Sequence, residues 1–179
     1  MATPLLKICG LRISSQAAAI AALGADAIGV IAVPGSPRFL DLQQRPALFA
    51  AVKRANPGCL GVVVVADPAA DALDTLQAVH GHDVVQLHGG ESPERCAQLR
   101  ALLPGLALWK ALRIRSEADL AQVEQYHGVV DAVLLDASSA LEHSPGDKDL
   151  TRVRQLVAVV RATRQDRSVP SAPPLSPCS

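Results

Sequence analysis

Short runs of Val, Ile and Leu recur along the chain, separated by longer stretches in which apolar residues return at helical spacing. The pattern predicts a repeated β-α unit. Leu5 to Cys9 reads as a first strand, and Ser14 or Ser15 is suited to cap a helix through Leu23 that stops at Gly24, a residue fit for a left-handed C-terminal position. A second strand at Asp26 to Val33 runs into the loop Pro34-Gly35-Ser36-Pro37, and a helix from about Leu42 to Lys53 follows. Cys59 to Val65 is a continuous apolar run, as expected of a strand buried on both faces. Asp67 and Pro68 then read as N-cap and first residue of a third helix. The cycle continues through a strand at Asp83 to Leu87, a helix at Ser92 to Leu103, a strand at Leu106 to Ala111, a helix at Ser116 to His127 and a strand at Asp131 to Leu135.

Strands joined by helical crossovers form parallel sheets, either doubly wound or closed into a β/α barrel, and the pattern alone leaves both open. Both architectures place their sites where strands run into the following loops, so chemistry is sought there.

Composition narrows the partners. With 179 residues, 49% of them hydrophobic, the chain has material for one sizeable core, expected to occupy residues 1–163, with 164–179 as a disordered tail rich in Pro, Ser and Ala. The 17 basic and 17 acidic residues cancel, which argues against nucleic acid as a partner. Apolar stretches such as Leu60 to Ala66 are too short to span a bilayer, and the start of the chain lacks the pattern of a signal peptide, so the expected location is the cytoplasm, with no membrane partner. Cysteines at positions 9, 59, 96 and 178 have no paired spacing, which argues against a zinc site or a disulfide framework.

At the strand ends, Cys9 closes the first strand with Lys7 two residues before it on the same face. A thiol there is either a base or a small buried hydrophobe, the commoner fate of a lone cysteine. Asp136 follows Val133-Leu134-Leu135 and should emerge at the same end of the sheet; locally it reads equally well as a cap or turn residue. His88, after Val84-Val85-Gln86-Leu87, and Lys110, inside the fifth strand run, are expected to point polar groups toward a barrel mouth or interior. Arg38, just past the rigid Pro34–Pro37 loop, offers a planar fork suited to a carboxylate, though the loop taken alone reads more readily as carrying a solvated arginine. Gly89-Gly90 is weak as a phosphate cradle, because a glycine pair is also an ordinary turn.

Taken in order, these strand ends resemble the phosphoribosylanthranilate isomerase family. Lys7-Ile8-Cys9-Gly10-Leu11 resembles its N-terminal signature, and Gly24-Ala25-Asp26-Ala27-Ile28-Gly29 with Ser36-Pro37-Arg38-Phe39 its second unit. Val84-Val85-Gln86-Leu87-His88-Gly89 resembles its fourth strand, Trp109-Lys110-Ala111 its fifth and Leu134-Leu135-Asp136 its sixth. The resemblance implies a parallel (β/α)8 TIM-type barrel, here incomplete with about six strands, and an isomerase of tryptophan biosynthesis. Its substrate would be the small molecule N-(5-phosphoribosyl)anthranilate, rearranged to the 1-deoxyribulose form with no cofactor and no metal. It further implies Asp136 as general acid at the ribose ring oxygen and Cys9 as general base at C2. Lys7 would favour the thiolate, Arg38 would hold the anthranilate carboxylate, and Gln86 and His88 would line the site.

Two departures qualify that expectation. Arg12 stands where the family usually has Thr, and after Asp136 the family's glycine-rich loop and last two strands give way to Ser144-Pro145-Gly146-Asp147-Lys148-Asp149, a helical stretch from about Asp149 to Thr163, and the tail. Those lost loops would bind the substrate phosphate. The abrupt change implies a reading frame truncated or shifted near Gly146, weak or absent activity, and exposed edges on the first and sixth strands. The alternatives are an inactive or interaction-only remnant, or another sugar-phosphate barrel such as an indoleglycerol-phosphate synthase or an epimerase. The sequence leaves the oligomeric state open.

Overall fold

The computed structural model describes residues 6–114, 116–136, 142–144 and 147–148. Strands β1 (Lys7–Cys9), β2 (Ala27–Ile31), β3 (Leu60–Val65), β4 (Val84–Leu87), β5 (Ala107–Arg113) and β6 (Ala132–Asp136) lie side by side in chain order, every neighbouring pair parallel. The helices α1 (Ser14–Ala22), α2 (Arg45–Ala55), α3 (Pro93–Leu102) and the one-turn α4 (Gln122–Gln125) fall in the crossovers between them. This is a β/α barrel sheet with six strands, as the family resemblance implies; β1 and β6 are its outer strands. Beyond Asp136, in a second unit, β7 (Glu142–Ser144) and β8 (Asp147–Lys148) pair antiparallel, where no strand was expected. The expected helix over 149–163 and the tail at 164–179 lie outside the described residues.

Strand alternation sorts the core into two layers. One face carries Ala27, Val62, Val64, Val84 and Trp109, packed with Ile31, Leu60, Ala107, Ala132 and Leu134; this is the barrel interior. The other face packs on the helices: a Cβ added at Gly61 would meet the Phe49 ring of α2 at 2.7 Å. Phe49, Leu48 and Val52 of α2, and Leu99 of α3, are fully buried there. Burial of one such Leu or Phe contributes roughly 1.5–3 kcal/mol.

Several local predictions are corrected. Ser14 is the first residue of α1 rather than its cap, which is Ile13 and makes no side-chain capping bond; Gly24 takes the expected left-handed turn at φ 94°. The crossover after β3 contains 3-10 turns at Ala70–Leu76 and Ala78–His80 instead of a regular helix. Asp67 does not cap them. It sits at φ 44°, the only described non-glycine residue with positive φ, and its bonds run to the loop after β4. The helix expected over Ser116–His127 begins as a 3-10 turn, Glu117–Ala121, and is α-helical only in α4. The helix expected over Ser92–Leu103 is present as α3, with Ser92 as its cap, accepting from the Arg95 amide at 3.2 Å.

The starts of the even strands share one device. Asp26, Asp83 and Asp131 each precede a strand and accept, at 2.7 Å, the amide of Leu6, Gly61 and Leu108 on the neighbouring odd strand or at its start. Lys53 of α2 pairs with Asp83 at 2.8 Å and Arg100 of α3 with Asp131 at 2.9 Å. These carboxylates satisfy strand amides at the end of the sheet opposite the candidate site, and they help to fix register.

Candidate active site

Cys9 ends β1 exposed, which rules out the buried-hydrophobe role for its thiol. The register Lys7↔Ala27 and Cys9↔Gly29 puts both side chains of β1 on the interior face. A Cβ added at Gly29 would lie 2.7 Å from Cys9 Sγ and 3.0 Å from Lys7 Nζ, so thiol and ammonium share the space over a glycine. Just beyond, the amides of Gly10 and Leu11 donate to the Gly29 carbonyl at 2.8 and 3.2 Å, with Gly10 at φ 85°.

Arg38 comes to this place through the loop after β2. Gly35 turns at φ 81°, Ser36 Oγ accepts from the Arg38 amide at 3.2 Å, and Phe39 bridges back to Ile31. The exposed Arg38 side chain then lies across Gly10, its Cδ 2.8 Å from where a Cβ would stand. Arg12 donates from Nη1 to the Pro37 carbonyl at 3.2 Å and ties the two loops together.

Gln86 and His88 form a second group. The row Cys9–Gly29–Val62–Val84 is followed, one step toward the strand ends, by the row Ile31–Val64–Gln86–Trp109–Ala132. Gln86 is thus a buried amide on an apolar wall, with Nε2 donating to His88 Nδ1 at 3.2 Å. Its Oε1 is buried and has no hydrogen-bond partner. An acceptor left that way costs about 1–3 kcal/mol, and a ligand donor would satisfy it. His88, half-buried, is held through its amide, which donates to Val65 O at 2.8 Å. Asp136 is the last residue of β6, opposite Arg113 in register; its side chain lies outside the described residues.

Lys110 does not face the interior. It has the opposite strand parity to Trp109 and Ala111, and its ammonium is buried on the helix side. Nζ donates to the Gly89 carbonyl at 2.7 Å and to Glu91 Oε2 at 2.8 Å, and lies 6.0 Å from the Tyr126 ring centre. Nor are Gly89 and Gly90 a phosphate cradle: their amides are taken by the carboxylates of Glu91 and Asp67. Sequence reasoning passed over Glu91, yet a lysine inside a strand destined for burial demands a paired carboxylate nearby, and that was the available signal. Among the described residues no His, Cys, Asp and Glu side chains group as metal ligands.

Comparison with known proteins gives the family. The family model described as N-(5'-phosphoribosyl)anthranilate (PRA) isomerase matches residues 6–139. The N-(5'-phosphoribosyl)anthranilate isomerase of Synechococcus sp. is 48% identical over 132 residues, covering 74% of this chain and 57% of its own length. That of Thermosynechococcus vestitus is 43% identical over 132 residues, covering 74% and 56%. The chain therefore spans a little over half the length of these curated relatives. A crystal structure of phosphoribosyl anthranilate isomerase in complex with reduced 1-(o-carboxyphenylamino)-1-deoxyribulose 5-phosphate superposes with a TM-score of 0.57 at 20% identity, covering 89% of this chain and all of that one. At that identity the likeness shows the fold. The match from β1 through β6, with Cys9, Arg38, Gln86, His88 and Asp136 all inside it, makes this chain a member of the N-(5'-phosphoribosyl)anthranilate isomerase family.

Proposed function

We propose that the chain carries the acid–base half of a phosphoribosylanthranilate isomerase site, acting on N-(5-phosphoribosyl)anthranilate in tryptophan biosynthesis. The observation that carries this reading is the convergence of Cys9 Sγ and Lys7 Nζ over Gly29, inside the span matched to the family. The structurally similar enzyme crystallised with a reduced carboxyphenylamino-deoxyribulose phosphate supports a ligand of the same class here.

In this reading Asp136 protonates the ribose ring oxygen, the C1–O bond breaks, and the anilino nitrogen's lone pair forms the Schiff base. Cys9, as thiolate, removes the C2 proton; those electrons pass to the iminium and leave an enolamine. The enol then tautomerises to the ketone, and the base's proton returns to solvent or product. Lys7 Nζ lies beside the thiol over Gly29, and Arg38 offers a bidentate partner to the anthranilate carboxylate. Gln86 and His88 line the wall, where the free Oε1 of Gln86 suits a substrate N–H or O–H. A cytoplasmic location goes with this role. No helix among the described residues is long and apolar enough to cross a membrane.

The test is turnover. Loss of phosphoribosylanthranilate fluorescence is followed for the chain and for Cys9→Ala and Asp136→Asn. Turnover abolished by either substitution is expected; turnover surviving both would remove the assignment. No turnover by the parent chain would favour an interaction-only remnant.

A further inference from the structure

We propose that the buried pair Lys110–Glu91, with Asp67, is a positioning device that sets His88 and Gln86 over the barrel interior; the inference rests on the isomerase reading of that site. The pair does not face the substrate side. Its side chains, 2% and 0% exposed, lie on the helix face of the sheet, and all their bonds go to the loops that follow β3 and β4. Gly89, the residue after His88, is gripped at both ends: its carbonyl accepts from Lys110 Nζ at 2.7 Å, and its amide donates to Glu91 Oε2 at 3.0 Å. Glu91 Oε1 also accepts the Asp67 amide at 2.7 Å, and Asp67 Oδ1 accepts the Gly90 amide at 2.8 Å. The Tyr126 hydroxyl donates to the Glu91 carbonyl at 2.8 Å. Packing leaves no slack, since a Cβ at Gly89 would run into the Asp67 carboxylate and backbone.

Stability alone gives little reason for this arrangement. A buried ion pair is costly to desolvate, and apolar residues of similar volume often serve a core as well or better. What apolar residues cannot do is hold two peptide groups and a left-handed aspartate at fixed heights. Those peptides are continuous with His88, whose ring accepts from Gln86, so the pair acts on the site through the backbone. A displacement on the order of 1 Å of a positioning group can cost about a hundredfold in rate.

The test separates positioning from stability in the full chain. Lys110→Met leaves Glu91 unpaired and should lower the melting temperature; the double variant Lys110→Met/Glu91→Leu should recover it. If the pair positions, the recovered double variant stays at least about tenfold below the parent in kcat/KM, with the loss in kcat. A double variant with parental melting temperature and parental kcat/KM overturns the proposal. Glu91→Gln, which keeps the shape, serves if the double variant does not fold. Should the parent chain show no turnover, the isomerase reading fails by itself, and the positioning is read from nuclear magnetic resonance of the folded variants. Shifted or broadened His88 ring and Gln86 side-chain amide signals sustain it; His88 and Gln86 signals identical to the parent's overturn it.

Discussion

Lys7 and Cys9, two residues apart on one face of β1, both reach over Gly29, where an added Cβ would lie 2.7 Å from Cys9 Sγ and 3.0 Å from Lys7 Nζ. Gly29 is not in a left-handed conformation, so an alanine there is excluded by the thiol and ammonium rather than by the backbone. Gly29→Ala should therefore push Cys9 Sγ to another rotamer and cut turnover by about a hundredfold with little loss of stability. Gly61→Ala is the matched control on the opposite face, where the added methyl meets the Phe49 ring. It should destabilise by about 1–3 kcal/mol and leave kcat nearly unchanged. Urea unfolding and steady-state kinetics on both variants check the pair.

The cysteines should separate by reactivity. Cys9 is exposed, whereas Cys59 and Cys96 are fully buried. Burial pushes the Cys96 thiol up to about 11, Glu91 and Glu94 adding to the rise and Lys110 opposing it. Cys59 is raised by burial as well, with Asp26 and Asp83 adding and Lys53 opposing. Peptide mapping after iodoacetamide treatment of the native chain should find Cys9 modified and both buried thiols unmodified; denaturant should expose them.

His82 should make stability fall in weak acid. Burial lowers its pKa below the ordinary 6.5, with His80 and Arg45 reinforcing the effect and the bond to the Leu76 carbonyl and the nearby Asp83 opposing it. Its Nε2 donates to that carbonyl at 3.0 Å, while Nδ1 is buried without a partner for a second proton. The unfolded chain takes up that proton first as pH drops below about 6.5, so stability declines from there down to the depressed folded value and no further from this group. Melting temperatures measured from about pH 7.5 to pH 5 should fall less steeply in His82→Gln than in the parent. Equal slopes would show that His82 is not the source.

Asp131 should prove structural. Its carboxylate receives the Leu108 amide at 2.7 Å and Arg100 at 2.9 Å. Asp131→Asn keeps an acceptor for the amide and should cost under about 1 kcal/mol, while Asp131→Ala strands the amide and should cost about 1–3 kcal/mol. Chemical denaturation distinguishes the two, and neither substitution should alter KM.

The strands were legible because parallel strands buried on both faces read as unbroken apolar runs, as Leu60–Val65 does. Cys9, Arg38 and His88 drew notice in the sequence because they stand at or just past strand ends, and Gln86 because it is a polar residue in an apolar run, all within motifs that resemble the family's in order. The crossovers were less so. Asp67-Pro68 has the form of a helix start, but the Asp67 amide and carboxylate are claimed by Glu91 and Gly90, more than twenty residues away. Lys110 was assigned to the wrong face because a charge in a strand suggests a cavity, whereas parity with Trp109 and Ala111 decides the matter. The second unit has no repeat of the β-α pattern from which to extrapolate, so its antiparallel pair was not foreseen.

The three aspartates at the starts of β2, β4 and β6 secure strand alignment at one end of the sheet, while Cys9, Arg38 and His88 stand at the other. Alignment and chemistry therefore answer to different residues. The loops after β1 and β2 can be exchanged, lengthened or randomised without touching the carboxylates that register the sheet, whereas the loop after β4 must keep Glu91 as the partner of buried Lys110.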